Sequence, residues 1–300
     1  MTEGTINTAA GSIAADGLPA HRLPSDTDTN SPFWTDGLPL PLEEHTKKLF
    51  VEYAKIPEDK LEEHLEEARK KAWNDCPYPC IGLWLFLKLQ LRNNKEFDEA
   101  VLRTQKGEKL LDFGCAIGQD LRSLAHAGAP TTMLYGADLV PKFFDAGHAL
   151  FNDRDSGITF RQANALDGTD ALPDWRGKFS IITCNYVQHC FSLDDQETFA
   201  GLLLDLLSGR KGDLVFGRTA GTTEGPARRE EMHKGQRLYR HTEASFVAFW
   251  ERMAAREKGG GGRRVRVETW VDEVPAFELR GPGMARFESV KNLMYAIRFE

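Results

Sequence analysis

The stretch KLLDFGCAIGQDLRSLA, Lys109 to Ala125, decides the fold. An apolar run of Leu110, Leu111 and Phe113 breaks at Gly114 into small residues, after which Leu121, Leu124 and Ala125 recur at helical spacing. Periodicity and breaker residues make this a strand, a tight loop and a helix. Small residues at Gly114, Ala116 and Gly118 let the loop backbone approach a ligand, because no bulky Cβ stands in the way. A dinucleotide fingerprint G-x-G-x-x-G laid on Gly114 needs glycine at positions 116 and 119, where Ala116 and Gln119 stand. NAD therefore fits poorly, and the absence of G-x-x-x-x-G-K-S/T excludes a P-loop.

Downstream, strand-like and helix-like segments alternate, with strands expected near Leu110–Phe113, Met133–Asp138, Thr159–Gln162, Phe179–Cys184 and Asp213–Gly217. This alternation predicts an α/β domain with a mostly parallel sheet. After a helix around Glu243–Arg256, EKGGGGRRVRVETW supplies a flexible glycine loop and the alternating strand Val265–Trp270, and NLMYAIRFE is the last strand. With no clear helix between them, these two strands form a C-terminal hairpin inserted beside the fifth. The polar, Gly-rich segment Arg218–His241 leaves the carboxyl end of the fifth strand, where open α/β sheets hold their ligands, and reads as a substrate loop.

With 300 residues, 41% of them hydrophobic, the chain can bury one large core, or one core and a smaller appendage. The first domain expected is a disordered tail over residues 1–36, rich in Gly, Ser, Thr, Asp and Pro. A helical cap follows over 37–106, and the α/β domain fills 107–300. Within the cap, Leu42 to Trp73 carries two amphipathic segments, the second opened by Pro57 with Leu61, Leu65, Ala68 and Ala72 at helical spacing. In DCPYPCIGLWLFLKLQL, Asp75 to Leu91, a Pro-punctuated turn leads into a very apolar run. Cys76 and Cys80 there lack the second pair or His cluster of a tetrahedral site, so no metal is expected. Trp73, Tyr78, Trp84 and Phe86 suit a core at such spacing, or the wall of a flat apolar ligand if the cap folds over the cleft.

A net charge of -7 opposes a sequence-independent grip on phosphate backbones, which sets nucleic acid aside. Five cysteines without an apolar leader point to a reducing compartment, and no apolar run approaches the ~20 residues of a membrane helix. The expectation is a cytoplasmic protein without membrane partners.

Three further strand ends carry ligand chemistry. Asp138, in LYGADLV, ends the second strand, where a carboxylate accepts from both hydroxyls of a ribose; a strand-end Asp also satisfies turn amides. Asn164 and Ala165, in RQANALDG, follow the third strand, where an amide side chain and a backbone N–H meet an adenine edge. In IITCNYVQHCF, Cys184 and Asn185 end the fourth.

Together with the glycine loop, these elements resemble the class I S-adenosylmethionine-dependent methyltransferases over Lys109 to Glu300. The resemblance implies a Rossmann-like seven-stranded sheet with a C-terminal hairpin, and S-adenosylmethionine as cofactor. It implies that Asp112, Gly114, Cys115, Ala116 and Gly118 pass under the methionine part, Asp138 and Leu139 meet the ribose, Asn164 and Ala165 flank adenine, and Asn185 closes the site. Ala116 replaces the usual middle glycine and leaves close approach open. More narrowly, KAWNDCPYPCIG, LLDFGCAIGQDLR, LYGADL, FGRTAG and LYRHTEASF resemble the fungal methyltransferases of meroterpenoid and related polyketide biosynthesis. Those enzymes methylate a carboxyl or hydroxyl oxygen of a bulky apolar intermediate.

The sulfonium methyl is already activated, so alignment and water exclusion are the main requirements. A carboxylic acid with pKa ~4 needs no base, whereas a phenol near ~10 does. His189, near the acceptor position, reads either as a base or hydrogen bonder or as a half-buried ring satisfied by backbone. Arg218 and His241 flank the substrate loop and could pair with a substrate carboxylate, while Arg228 and Arg229 read as solvated charges. Tyr239 joins the substrate-facing candidates. The expected function is O-methylation of a small apolar natural-product intermediate, more readily at a carboxylate, by a protein that is open to forming a homodimer. The alternatives are a methyltransferase fold that guides a cyclisation or rearrangement, and a cofactor-binding regulator without turnover.

Overall fold

Leu110 and Leu111 point to opposite faces of one strand, and both are buried, which places that strand in the middle of a two-sided sheet. In the computed structural model the described residues are 6–8, 11–13, 29, 33–223, 229–232, 236–256, 262–275 and 290–300. The main sheet comprises β1 (Leu110–Phe113), β2 (Leu134–Asp138), β3 (Thr159–Gln162), β4 (Ile181–Asn185), β5 (Leu214–Thr222), β6 (Val265–Pro275) and β7 (Val290–Phe299). Its order is β6-β7-β5-β4-β1-β2-β3. The first five strands run parallel, and β7 enters antiparallel between β5 and β6, so the expected hairpin lies beside the fifth strand.

Alternation along the central strands divides the core. Leu111, Phe113, Ile182 and Val215 face α6 (Leu193–Leu206) and α7 (Glu243–Ala255), whereas Leu110, Ile181, Leu214 and Phe216 face α3 (Phe97–Gln105) and α4 (Gln119–His126). Helix starts follow from local chemistry. Ser192 caps α6 by accepting from Asp195 N at 3.2 Å, and Thr242 with Ser245 forms a capping box on α7.

The cap is built from α1 (Glu44–Lys48), which continues as a π-turn over Leu49–Tyr53, and α2 (Leu61–Asp75). The apolar run after Asp75 folds as short turns, Pro79–Gly82, Leu85–Lys88 and Gln90–Asn93, separated by left-handed Trp84 (φ 58°) and Leu89 (φ 35°). Leu49, Phe50, Leu61, Leu65 and Ile81 pack against Ile117, Val140, Phe143, Leu150 and Phe151, the last three on α5 (Lys142–Phe151). The Arg69 guanidinium lies 3.5 Å from the Trp34 ring centre and 4.2 Å from that of Trp84, and donates to Thr35 O, Ile81 O and Gly82 O. Its charge is thus satisfied inside the cap.

One boundary needs correction. The polar segment expected as a substrate loop from Arg218 begins as strand, because β5 extends to Thr222 and pairs along that length with β7, from Met294↔Arg218 to Val290↔Thr222. The signal was hidden because Arg218, Thr219 and Gly221 are not an apolar run, and the partner strand is remote in sequence. Further on, Arg229–Met232 and Gln236–Tyr239 form a short antiparallel pair. Arg228 and the glycines of 259–261 lie outside the described residues. Within the segment read as a tail, Ile6–Thr8 pairs antiparallel with Gly11–Ile13, and most of the rest lies outside the described residues.

Candidate functional site

Parallel register brings the carboxyl ends of β1 to β4 to one edge. Gly114 N and Cys115 N both donate to Ala137 O, at 2.7 and 3.2 Å, and Ala163 N donates to Asp138 O at 2.9 Å. The loop after β1 turns through left-handed Gly114 (φ 78°), Ala116 (φ 47°) and Gly118 (φ 69°). A non-glycine residue there costs about 1–2 kcal/mol. Asp138 holds it: Oδ2 accepts from Ala116 N at 2.8 Å and Oδ1 from Val140 N at 3.0 Å. Burial pushes the Asp138 carboxyl up to about 6 against these bonds. An ionised carboxylate has acceptor capacity beyond these backbone bonds, so holding the turn and accepting from a ribose hydroxyl are chemically compatible.

Asp112 and Asp120 crowd the same loop. Burial, with Asp120 and Asp138 as like charges, drives the Asp112 carboxyl well above its ordinary range. Burial raises Asp120 to about 6, opposed by a 3.0 Å bond from Leu91 N and by the charge of Arg218. Cys115 is buried beneath the loop, and burial with the charges of Asp138 and Asp112 raises its thiol far up. Leu139 and Ala116 pack against the cap, so the cap borders the loop directly. After β3, Asn164 Oδ1 accepts from Leu166 N at 3.1 Å and Nδ2 donates to Asp167 Oδ1 at 2.9 Å, so its amide caps its own turn; Ala165 is buried beside it. Asn185 ends β4 opposite Arg218 of β5, and its Oδ1 is a buried acceptor without a partner.

The catalytic candidates separate. Thr219 and Ala220, on β5, surround His189: Ala220 N donates to His189 Nδ1 at 3.3 Å, and Thr219 Oγ1 lies 3.3 Å from the same nitrogen. An Nδ1 that accepts a backbone N–H leaves the proton of the neutral ring on Nε2. Arg218, fully inside the fold, donates from Nη2 to Gln90 O of the cap at 2.6 Å, while its Nε has no partner. His241 departs from the expectation of a substrate-pairing residue. Its ring is 3% exposed, with Nε2 3.0 Å from Gln196 Oε1 and Nδ1 2.9 Å from Ser245 Oγ, and burial lowers its pKa to about 4. Gln196 completes this bracket by donating to Phe191 O and Tyr239 O and accepting from Gln188.

Trp73, Trp84 and Phe86 lie in the core of the cap, at 1%, 3% and 3% exposure. Tyr78 is half-buried with its ring edge-on to Phe143, centres 5.9 Å apart, and Tyr239 stacks edge-on to His241 at 4.9 Å. Tyr186 carries no local signal in the sequence; its left-handed backbone (φ 56°) follows Asn185 and its hydroxyl bonds Asn292 of β7. The same holds for Arg122 and Gly147, which both meet the loop at the Ile117 carbonyl. Arg122 lies within the opening stretch, but no local pattern says that its side chain turns back toward Ile117.

Three carboxyls raised by burial, together with the unsatisfied Asn185 Oδ1, suit a ligand bearing cations and hydrogen-bond donors. The ammonium and sulfonium of S-adenosylmethionine are such groups, and the residues present fit it. Among the described residues there is no cluster able to hold a metal ion and no helix long and apolar enough to cross a membrane.

Residues 34–87 match the meroterpenoid methyltransferase N-terminal domain, and residues 110–208 a methyltransferase domain. The chain is 37% identical over 230 residues to methyltransferase trt5 of Aspergillus terreus, covering 74% of this chain and 79% of that one. It is 31% identical over 229 residues to the asnovolin E/chermesin D methyltransferase nvfJ of Aspergillus novofumigatus, covering 76% and 81%. Against O-methyltransferase atr3 of Stereocaulon alpinum it is 33% identical over 225 residues, covering 74% of this chain and 65% of that one. Sheet order, glycine loop and matched domain make the protein a class I S-adenosylmethionine-dependent methyltransferase. Within that class it belongs to the family of fungal methyltransferases that contains trt5 and nvfJ.

Proposed function

We propose that the protein transfers the methyl group of S-adenosylmethionine to a carboxyl (or hydroxyl) oxygen of a small apolar natural-product intermediate, with a carboxylate as the favoured acceptor. The observation that carries this reading is the state of the two histidines. His189 Nδ1 takes a backbone N–H, and both His241 nitrogens are engaged in a buried ring, so neither offers a ready base. An acceptor already ionised at neutral pH needs none. Arg218, with Nε unpartnered beside the end of β4, supplies positive charge for such an anion, and the proton of the neutral His189 ring sits on Nε2, 3.8 Å from Cys190 Sγ. The apolar cap packed on the loop supports exclusion of water from the reacting atoms.

The test incubates the protein with S-adenosylmethionine and a panel of terpenoid and aromatic acids, with the matching phenols and alcohols as comparison, read by mass spectrometry. Gain of one methyl, removable by mild alkaline ester hydrolysis, is the expected product. An isomer of equal mass would assign the site to rearrangement, and methylation of phenols alone would overturn the carboxylate preference. Arg218→Ala and His189→Ala should slow methylation while cofactor binding persists; loss of cofactor binding in both would sink their acceptor roles.

A further inference from the structure

Arg122 is fully buried on the first turns of α4, and its guanidinium turns back beneath the glycine loop. Nη1 donates to Ile117 O at 2.6 Å and, more distantly, to Gly118 O at 3.3 Å. The other side of the fork is bidentate to Asp153, with Nε to Oδ2 at 2.6 Å and Nη2 to Oδ1 at 2.7 Å. Asp153 follows α5 and receives two more donors, His148 Nδ1 at 3.0 Å and the hydroxyl of Tyr53 at 2.8 Å. Burial pulls the Asp153 carboxyl upward, but the bonds and charge of Arg122 outweigh it and hold it below its usual range, so the pair is ionised. The rings of Phe151 and Phe160 line the guanidinium, with centres at 4.7 and 5.4 Å.

Tyr53 belongs to the cap, Asp153 to the turn after α5, and Arg122 to the helix that the loop opens. Three consecutive polar contacts therefore run from the cap to the loop carbonyls. A buried ion pair is seldom a net source of stability compared with apolar packing, so its presence here calls for a role in geometry. A planar five-donor fork can hold two carbonyls and a carboxylate at once, which an ammonium on a flexible stem does not.

We infer that Arg122 is a positioning residue for the cofactor loop, and that the cap residue Tyr53 sets its geometry through Asp153, so that cap docking and cofactor binding are coupled. Arg122 donates to the loop carbonyl of Ile117, while Asp138 accepts from the amide of the preceding residue, Ala116. The loop is thus clamped between a guanidinium and a carboxylate. The coupling is reciprocal: what tightens the cap tightens the cofactor, and the cofactor in turn tightens the cap.

The inference rests on the cofactor assignment and not on the acceptor. Its test is calorimetric titration of S-adenosylhomocysteine into the 300-residue chain and into its Arg122→Lys, Asp153→Asn and Tyr53→Phe variants, with near-UV circular dichroism to check tertiary packing. Loss of a charge-assisted bond predicts a Kd about tenfold higher for Arg122→Lys and Asp153→Asn, and about threefold higher for Tyr53→Phe. In the Tyr53→Phe/Arg122→Lys double variant the effects should be less than additive, because one relay is broken twice. A purely structural role would lower the thermal midpoint and leave Kd unchanged, so folded Arg122→Lys with the parent Kd overturns the inference. Should Arg122→Lys fail to fold, Tyr53→Phe, which loses one hydroxyl and keeps its ring, decides alone: the parent Kd overturns the inference, and a raised Kd supports it. Failure of the parent protein itself to bind would instead strike the cofactor assignment.

Discussion

A histidine at the end of a polar segment invites a catalytic reading, yet His241 has a partner at each ring nitrogen and a burial that disfavours the imidazolium. Its chemistry has been converted into architecture: the ring ties α7 to Gln196 of α6. Because the folded protein holds the neutral ring, with pKa about 4 against 6.5 unfolded, its contribution to stability is full above pH 6.5 and is lost as pH falls toward 4. The loss should reach about 3 kcal/mol by pH 4. Thermal midpoints measured between pH 7.5 and 4.5 should fall less steeply in His241→Gln than in the parent protein, and parallel profiles would refute the assignment. Asp138 teaches the converse lesson. A carboxylate foreseen as a ligand contact also serves the backbone, holding the strained Ala116 in place.

At the scale of elements, the loop depends on what lies behind it. Gly147, on α5, is placed so that a Cβ would stand 2.2 Å from Ile117 O, so helix and loop touch backbone to side-chain-free backbone. Gly147→Ala must push the loop or the helix aside. The expected outcome is a loss of about 1–3 kcal/mol in a urea unfolding curve, together with weaker S-adenosylmethionine binding by calorimetry. Unchanged binding would show that the loop tolerates the shift. The same scale separates what sequence pattern reveals from what it hides. β1 and β3 are legible because each apolar or alternating run ends at a turn signal. The extension of β5 over Arg218, Thr219 and Gly221 was not, because it is stabilised by pairing with β7 and not by its own residues.

For the whole molecule, the decisive event is the docking of the cap against Ile117, Val140 and α5. Trp73 is central to the cap, with its ring centre 5.2 Å from that of Trp34. Trp73→Ala should lower stability by about 3–5 kcal/mol, read as a lower urea midpoint. Since a domain has only about 5–15 kcal/mol in total, this is a large fraction. An unchanged midpoint would remove Trp73 from the core. The sequence by itself determined the α/β architecture, the glycine loop, the strand-end positions and the family resemblance, because these follow from periodicity, breaker residues and motifs read within a few residues of one another. Only the tertiary structure decided which side chains those positions leave free. It turned His241, Trp73 and Trp84 inward, set Arg122 and Gly147 behind the loop, and joined the cap to it through Tyr53. Burial and partnership are properties of segments remote in the chain, and no local pattern encodes them.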